Sequence, residues 1–390
     1  MSEQTTKLLD YLKSQHDSYR DAFIADLADL VNRDCGTDDK LGVDRVARWF
    51  ERRCAEWGYA VQTLPQTHFG DNVVGRITGT GKARIMLIGH LDTVYPIGTA
   101  ARRPMRIVGD KIIGPGTCDI KGGLLVGLYA VRALQQSGFA DFAELVFFFN
   151  SEEEVGSPVS QHLYAPIAKN MDAVFVLEAA RANGDIVSAR KGVGNYKLRV
   201  RGKAAHAGVE PEKGANAILE LSHRIAALHA LNGIAPGVTV NAGVIGGGTR
   251  PNVVPDEAWV DVDVRAIDQA GATLAKQAIA DLARQPSQVR GTTVEMSGSF
   301  GFMPMAKTPA IAKLVEMAQR SARELGFEVN DAATGGVSDA NKMAELGVPV
   351  LDGLGPVGGL DHGPDEYIEL SSIIPRTALL ALLIQKIASS

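Results

Sequence analysis

The sequence predicts an α/β protein: a mixed-sheet domain interrupted by an inserted α+β domain whose sheet carries two helices on one face. Three observations carry that prediction. Three apolar segments, Ile85 to Ile88, Leu145 to Phe149 and Ala173 to Leu177, read as strands, and each is followed within three residues by an acid or an imidazole. Near Ile186 the pattern turns to alternation, as in Trp259-Val-Asp-Val-Asp-Val-Arg265. Beyond Pro304 long helical periodicities return. The first domain is therefore expected over 1–185 and 300–390, and the inserted one over 186–299.

The chain has 390 residues, 45% hydrophobic and 22% charged, enough for two domains with cores of their own. Its formal net charge of −5 comes without a long basic run or a basic-aromatic stripe, so a small solute is expected as partner and nucleic acid is not. Cys35, Cys54 and Cys118 are widely spaced and form no Cys-x-x-Cys pair. That excludes a disulfide framework and a thiolate zinc site, and suits a reducing compartment. The N-terminal segment leads into a charged amphipathic pattern rather than a signal peptide, and apolar runs such as Leu379 to Ile384 are too short to span a bilayer. A cytoplasmic protein with no membrane partner is the expectation.

Two amphipathic helices are expected first, over Leu8 to Val31 and from Val43 to Trp57, where apolar residues recur at three- and four-residue spacings. A β-like stretch, Tyr59 to Thr78, precedes the strand that ends in Gly89-His-Leu-Asp-Thr-Val94. The glycine-rich turn Gly114-Pro-Gly-Thr-Cys-Asp-Ile-Lys-Gly-Gly123 then opens a buried helix, Leu124 to Leu134. In the inserted domain, strands are expected at Val193 to Val200, Val238 to Val244, Trp259 to Arg265 and Thr293 to Met296, with helices at Asn216 to Leu231 and Ala270 to Gln285. Helices at Ile311 to Leu325 and Pro375 to Ile387, and a strand at Pro349 to Leu351, complete the first domain.

Candidate chemistry collects at strand ends. His90 and Asp92, two residues apart, can face one cavity while Leu91 packs the other way. Asp119 sits at the centre of the glycine turn, which also reads as a helix cap. Ser151-Glu-Glu-Glu-Val-Gly156 places three adjacent acids after a buried strand, a solvated turn or an arrangement that needs a compensating cation. Glu178 follows the third strand, and His362 lies in a late glycine-rich loop. Ligands of open α/β sheets bind at the carboxyl edge, so the coincidence of these groups there favours a two-metal site over scattered surface acids.

Together these motifs resemble those of the dinuclear zinc aminoacylase and carboxypeptidase family, which includes glutamate carboxypeptidase, acetylornithine deacetylase and succinyl-diaminopimelate desuccinylase. The similarity covers nearly the whole chain, is greatest toward the glutamate carboxypeptidase branch, and keeps the family's motif order. The resemblance implies two Zn2+ ions per subunit, with Co2+ or Mn2+ as other divalent ions such a site takes. His90 and Glu178 would bind one ion, Glu154 and His362 the other, and Asp119 would bridge them. Asp92 would orient His90, and Glu153 would be the general base, which leaves Glu152 as the spare acid. The inserted domain would be the lid and dimerisation domain of a homodimer. His206, within Gly202-Lys-Ala-Ala-His206-Ala-Gly208, would polarise the scissile carbonyl from the partner subunit. Asn252 and Arg265 would hold the substrate carboxylate, and Gly335 and Gly336 would contact substrate through backbone.

The implied activity is hydrolysis of an amide bond beside a free carboxylate, in a small N-acyl amino acid or peptide. A deacylase or aromatic amide hydrolase on the same site, and a catalytically silent dimeric binding protein of this fold, are the other readings. A nucleotide-binding protein is disfavoured, because no phosphate loop follows any strand. Where relatives place a basic residue before the proline that reopens the catalytic domain, Gly301-Phe-Met-Pro304 has Phe302 and Met303. An apolar or aromatic terminal residue is therefore expected in place of glutamate.

Overall fold

The computed structural model describes residues 3–389. The chain divides into two compact units, one of residues 1–188, 307–333 and 338–390, the other of residues 189–306 and 334–337.

In the first unit six strands form a mixed sheet in the order Ala60–Leu64, Asn72–Thr78, Glu144–Asn150, Arg84–His90, Ala173–Val176 and Val350–Leu351. The first two pairings are antiparallel and the last three parallel. The parallel strands are buried along nearly their whole length, which is why they read as continuous apolar runs. Phe147 and Phe149 stack on one face with centroids 5.5 Å apart, and Phe50 stacks on Phe149 at 4.6 Å. On the other face Phe148 meets Tyr164 edge-on at 5.4 Å.

The helices start where the sequence supplies caps. Asp39 accepts from Gly42 N at the head of Lys40–Glu56, and Thr308 accepts from Ile311 N at the head of Pro309–Glu324, with proline in the first turn. Ser338 and Asn341 form a capping box on Asp339–Glu345. The helices Gly122–Gln136 and Ile373–Ala388 pack on each other in the core. The helical stretch Leu370–Ala388 is long and apolar enough by length and composition to cross a membrane, a feature the short run Leu379 to Ile384 does not announce. Most of it is buried inside this unit. Arg376 is buried there with it, donating to the carbonyls of Gly355 at 2.9 Å, Gly184 at 3.0 Å and Gly353.

The second unit is an antiparallel sheet in the order Thr239–Gly247, Glu257–Ala266, Gly192–Arg201 and Thr293–Phe302. Its helices Ala217–His229 and Gln269–Arg284 cover a core that includes Leu198, Val260, Val262, Leu221 and Ile279. Burial alternates along Glu257–Ala266, as the sequence pattern requires of a half-covered sheet.

Several elements depart from expectation. The first helix breaks at Gln15 into Glu3–Ser14 and His16–Val31. The last strand of the second unit runs on to Phe302 rather than stopping at Met296, because Ser297-Gly-Ser stays paired with Lys197 to Asn195. That strand carries the unit to residue 306 instead of 299, and its start falls at 189 instead of 186. Residues 334–337, with Gly335 and Gly336, also belong to it rather than to the first unit. The helix Ser160–Ala168 and a small sheet of Arg106–Val108, Lys111–Ile113, Gly358–Gly359 and Tyr367–Glu369 are additional.

Candidate metal centre

The parallel strands of the first unit deliver their carboxyl ends to one edge: His90 closes one strand, the turn from Ser151 follows the second, and Glu178 follows the third. The Asp119 turn reaches the same place because Gly123 has no side chain. A Cβ there would lie 1.8 Å from the Leu177 carbonyl oxygen, so the helix Gly122–Gln136 could not begin where it does. His362 enters from its loop with a left-handed backbone (φ 62°), uncommon for a residue with a Cβ.

One oxygen of each of Asp119 and Glu154 and one nitrogen of His90 lie within 4.8 Å of one another. His90 Nε2 is 2.9 Å from Asp119 Oδ1 and 3.7 Å from Glu178 Oε1. His362 Nε2 is 3.0 Å from Asp119 Oδ2 and 3.4 Å from Glu154 Oε2. Asp119 thus stands between two imidazoles, one oxygen turned toward each.

The donor set fits cations. His90 Nδ1 lies 3.0 Å from the carbonyl oxygen of Asp92, to which it can only donate, so this bond assigns its proton and leaves the Nε2 lone pair facing two carboxylates. Lone pairs converging in this way need protons or metal ions between them. Asp92, Asp119, Glu153, Glu154 and Glu178 outnumber the imidazoles of His90 and His362, and Glu154 Oε1 is buried without a hydrogen-bond donor among the described residues. Imidazole nitrogen and carboxylate oxygen suit Zn2+, with Co2+ and Mn2+ compatible.

The electrostatics point the same way. Burial alone would raise Asp119, yet the imidazoles of His362 and His90 hold its carboxyl below the usual range. Asp119 and Glu154 push His362 up to about 10. Burial pushes Glu153 well above the ordinary carboxylate range, opposed by His90 and reinforced by Asp339, Glu178 and Glu154. Among the described residues no hydrogen bond engages the Glu153 carboxylate, which leaves both oxygens for a reactant.

Four buried carboxylates fix the loops of this centre, two of them, Glu366 and Asp339, unmarked in the sequence. Asp92 accepts from the backbone N–H groups of Glu153 at 3.2 Å and Glu154 at 3.3 Å and from Thr37 Oγ1 at 2.7 Å, so its carboxylate holds the acidic turn, while its carbonyl oxygen at 3.0 Å and its Oδ1 at 3.3 Å both face His90 Nδ1. Glu366 accepts from Gly116 N at 2.9 Å, Cys118 N at 2.8 Å, Asp119 N at 3.0 Å and Tyr95 OH at 2.6 Å. Glu152 accepts from Val159 N and Ser160 N, and its other oxygen from the hydroxyls of Ser151 and Ser160. Asp339 accepts from Asn150 Nδ2, Ser157 Oγ and Tyr164 OH. Isolated acids such as Glu366 and Asp339 carry no spacing signal, whereas Asp92 and Glu152 stand within motifs.

Comparison with known proteins settles the family. Residues 86–386 match the model of peptidase family M20/M25/M40. Carboxypeptidase G2 of Pseudomonas sp. (strain RS-16) is 31% identical over 94% of this chain and 90% of its own length. The chain belongs to this peptidase family. It is a hydrolase acting on amide bonds, with the mixed α/β fold of its relatives. Aminopeptidase PepT of Bacillus cereus superposes with a TM-score of 0.76 at 24% identity, covering 95% of this chain and 99% of that one. The YXEP protein of Bacillus subtilis, described as a dinuclear metal-binding peptidase, gives 0.70 at 15% identity over 96% and 99%.

The other expected site residues of this M20-family chain lie in the second unit. His206 is exposed, and its Nδ1 accepts from Gly208 N at 3.1 Å, so Nε2 carries the proton and is a donor. Its loop is pinned to that of Asn252: Ala207 N donates to the Asn252 carbonyl at 3.0 Å, and His206 bridges to Val253. The Arg265 fork is engaged by Asp263 on its own strand, with Nε at 2.8 Å from Oδ1 and Nη2 at 2.8 Å from Oδ2. Its Nη1 donates to Gly335 O at 3.3 Å, and Arg190 donates to Gly336 O at 3.1 Å. The backbone carbonyls of both glycines are therefore held by arginines of their own unit. Met303 packs on this unit's core.

Proposed function

We propose that this M20-family enzyme hydrolyses an amide bond beside a free carboxylate, as a carboxypeptidase or N-acyl-amino-acid hydrolase. The observation that carries the reading is Asp119 set between His90 Nε2 and His362 Nε2, with Glu154 Oε1 unpaired and Glu153 free beside them. We assign His90 and Glu178 to one divalent ion, Glu154 and His362 to a second, and Asp119 to both. Two such ions, when bound, acidify a water and draw electrons from the scissile carbonyl.

Glu153 takes the proton from the attacking water and passes it to the amide nitrogen as the C–N bond breaks. The acyl half leaves as a carboxylic acid and the other half as an amine. Its buried setting and lack of a hydrogen-bond partner suit a carboxylate that must hold a proton briefly and release it. Asp92 keeps the Glu153 backbone and His90 in one register. The Nε2–H of His206, reaching in from a second copy of the chain in a homodimer, stabilises the oxyanion. Asn252 and Arg265 bind the free carboxylate, with Gly335 and Gly336 alongside; Asp263 already occupies one edge of the Arg265 fork, so the substrate meets what remains.

Phe302 and Met303 favour an apolar or aromatic residue at the carboxylate end over glutamate. Three buried, unpaired cysteines suit a reducing compartment, and we place the enzyme in the cytoplasm. Metal analysis together with a turnover screen over N-acyl-phenylalanine, N-acyl-glutamate and dipeptides tests the reading. Two equivalents of metal and faster turnover of the phenylalanine compounds are expected; a metal-free active protein would refute the mechanism, and a strong glutamate preference would refute the specificity.

A further inference from the structure

Beside the metal centre, and wholly within the first unit, lies an open cavity of about 590 Å3. One wall is the segment after His90-Leu-Asp92, with Val94, Pro96 and Ile97; another is Val155, directly after Glu154, which itself lines the cavity. Val94, Ile97 and Val155 are 43%, 68% and 52% exposed, so three large apolar side chains present themselves to solvent around a single hollow. Apolar side chains on loops that hold buried ligands have a use if something apolar covers them.

The cavity is built rather than incidental. Thr37 N donates to Thr93 O at 3.1 Å and Thr93 N to Cys35 O at 2.9 Å, joining its two loops as paired backbone. Gly36 permits the approach, since a Cβ there would lie 2.3 Å from the Tyr95 carbonyl oxygen. Tyr95 OH is anchored by Glu366 at 2.6 Å and the Gly363 carbonyl at 2.9 Å.

Charge decides which half of a substrate fits. No Lys, Arg or His is among the described residues lining the cavity. Asp39 caps a helix, accepting from Gly42 N at 3.0 Å, and has Arg45 3.6 Å away. Glu154 belongs to the metal centre. Asp38 is exposed, and no hydrogen bond or ion pair engages it among the described residues, so the one uncompensated charge here is negative. A substrate with an amide beside a free carboxylate has one anionic half and one neutral half. We infer that this cavity is the acyl subsite, taking a neutral, apolar acyl group such as a branched aliphatic or aromatic one and rejecting an acyl group that ends in a carboxylate. The inference rests on the amide-hydrolase reading above and adds the substrate's other half.

The test uses two compounds that share phenylalanine and differ only in the acyl group, N-isovaleryl-phenylalanine and N-succinyl-phenylalanine, with the metal-loaded full chain. Turnover is measured on the wild type, and binding by calorimetry on a Glu153→Gln background, so that affinity is read independently of catalysis. The isovaleryl compound is expected to lead in both by about tenfold or more. Asp38→Lys, at an exposed and unpartnered position, should raise the succinyl-to-isovaleryl ratio about tenfold, and Ile97→Ala should weaken the isovaleryl compound alone. Equal binding of the two compounds, or a ratio that ignores both substitutions, overturns the subsite. So does a change in amino-acid preference with acyl preference intact, because the cavity would then hold the other half. Should no N-acyl amino acid be turned over while the binding ratios come out as stated, the hydrolase reading falls and the subsite stands.

Discussion

The backbone N–H of Glu153 donates to the carboxylate of Asp92 at 3.2 Å, while the carbonyl of the same aspartate lies 3.0 Å from His90 Nδ1. One residue therefore sets both the ring that faces Asp119 and the turn that carries two neighbouring acids. Asp92→Ala is expected to lower metal affinity and kcat/KM together by about 10- to 100-fold. Asp92→Asn, which keeps one side-chain acceptor where alanine keeps none, should fall between it and the wild type. Metal titration followed by steady-state kinetics checks the order; an alanine variant with full metal affinity would contradict it.

Glu366 does for Asp119 what Asp92 does for Glu153. Glu366→Gln puts an amide NH2 where an oxygen now accepts, against either Gly116 N and Tyr95 OH or Cys118 N and Asp119 N. A donor left facing donors in a buried site costs about 1–3 kcal/mol. The metal-free variant is expected to melt at lower temperature and the loaded one to release metal to chelators faster. Tyr95→Phe removes only the hydroxyl contact and should do less on both measures.

Arg376 holds together three loop carbonyls inside the first unit. Arg376→Met keeps much of the apolar bulk and leaves those carbonyls without this donor, for an expected loss of about 2–4 kcal/mol. Urea unfolding of the metal-free protein, followed by tryptophan fluorescence, measures it. A loss under about half a kcal/mol would mean that water replaces the guanidinium.

Burial would raise Asp71, but Lys40 at 2.8 Å and the N–H of Gln66 hold its carboxyl below its usual 3.8. A depressed carboxylate gives stability that is present above its unfolded value and lost as pH falls through the folded one. Asp71→Asn should therefore melt below the wild type at pH 7, with the gap closing below about pH 4. Because the pair is partly exposed, the difference at pH 7 is at most about 1 kcal/mol.

Strand ends are legible in this sequence because buried parallel strands are uninterrupted apolar runs, so the first polar residue after each, at His90, Asn150 and Glu178, marks where side chains gather. Alternation marks the second unit equally well, as along Glu257–Ala266. What escapes is support that depends on tertiary contact. Glu366 and Asp339 are single acids in loops or at a helix start, and their partners lie far away in sequence. Three-residue strands such as Lys111–Ile113 are too short to show a period. Ser297-Gly298-Ser299 has turn composition, yet cross-strand pairing with Asn195 to Lys197 keeps it extended.

The central claim, that Glu153 moves the proton at a two-ion centre, is tested most directly by Glu153→Gln in the metal-loaded protein. The glutamine keeps size and shape and cannot take up a proton. Metal content, read by elemental analysis, should remain at two ions per chain while kcat on the best N-acyl amino acid falls by about 10²- to 10⁴-fold. Hydrolysis at the wild-type rate with both ions in place would contradict it.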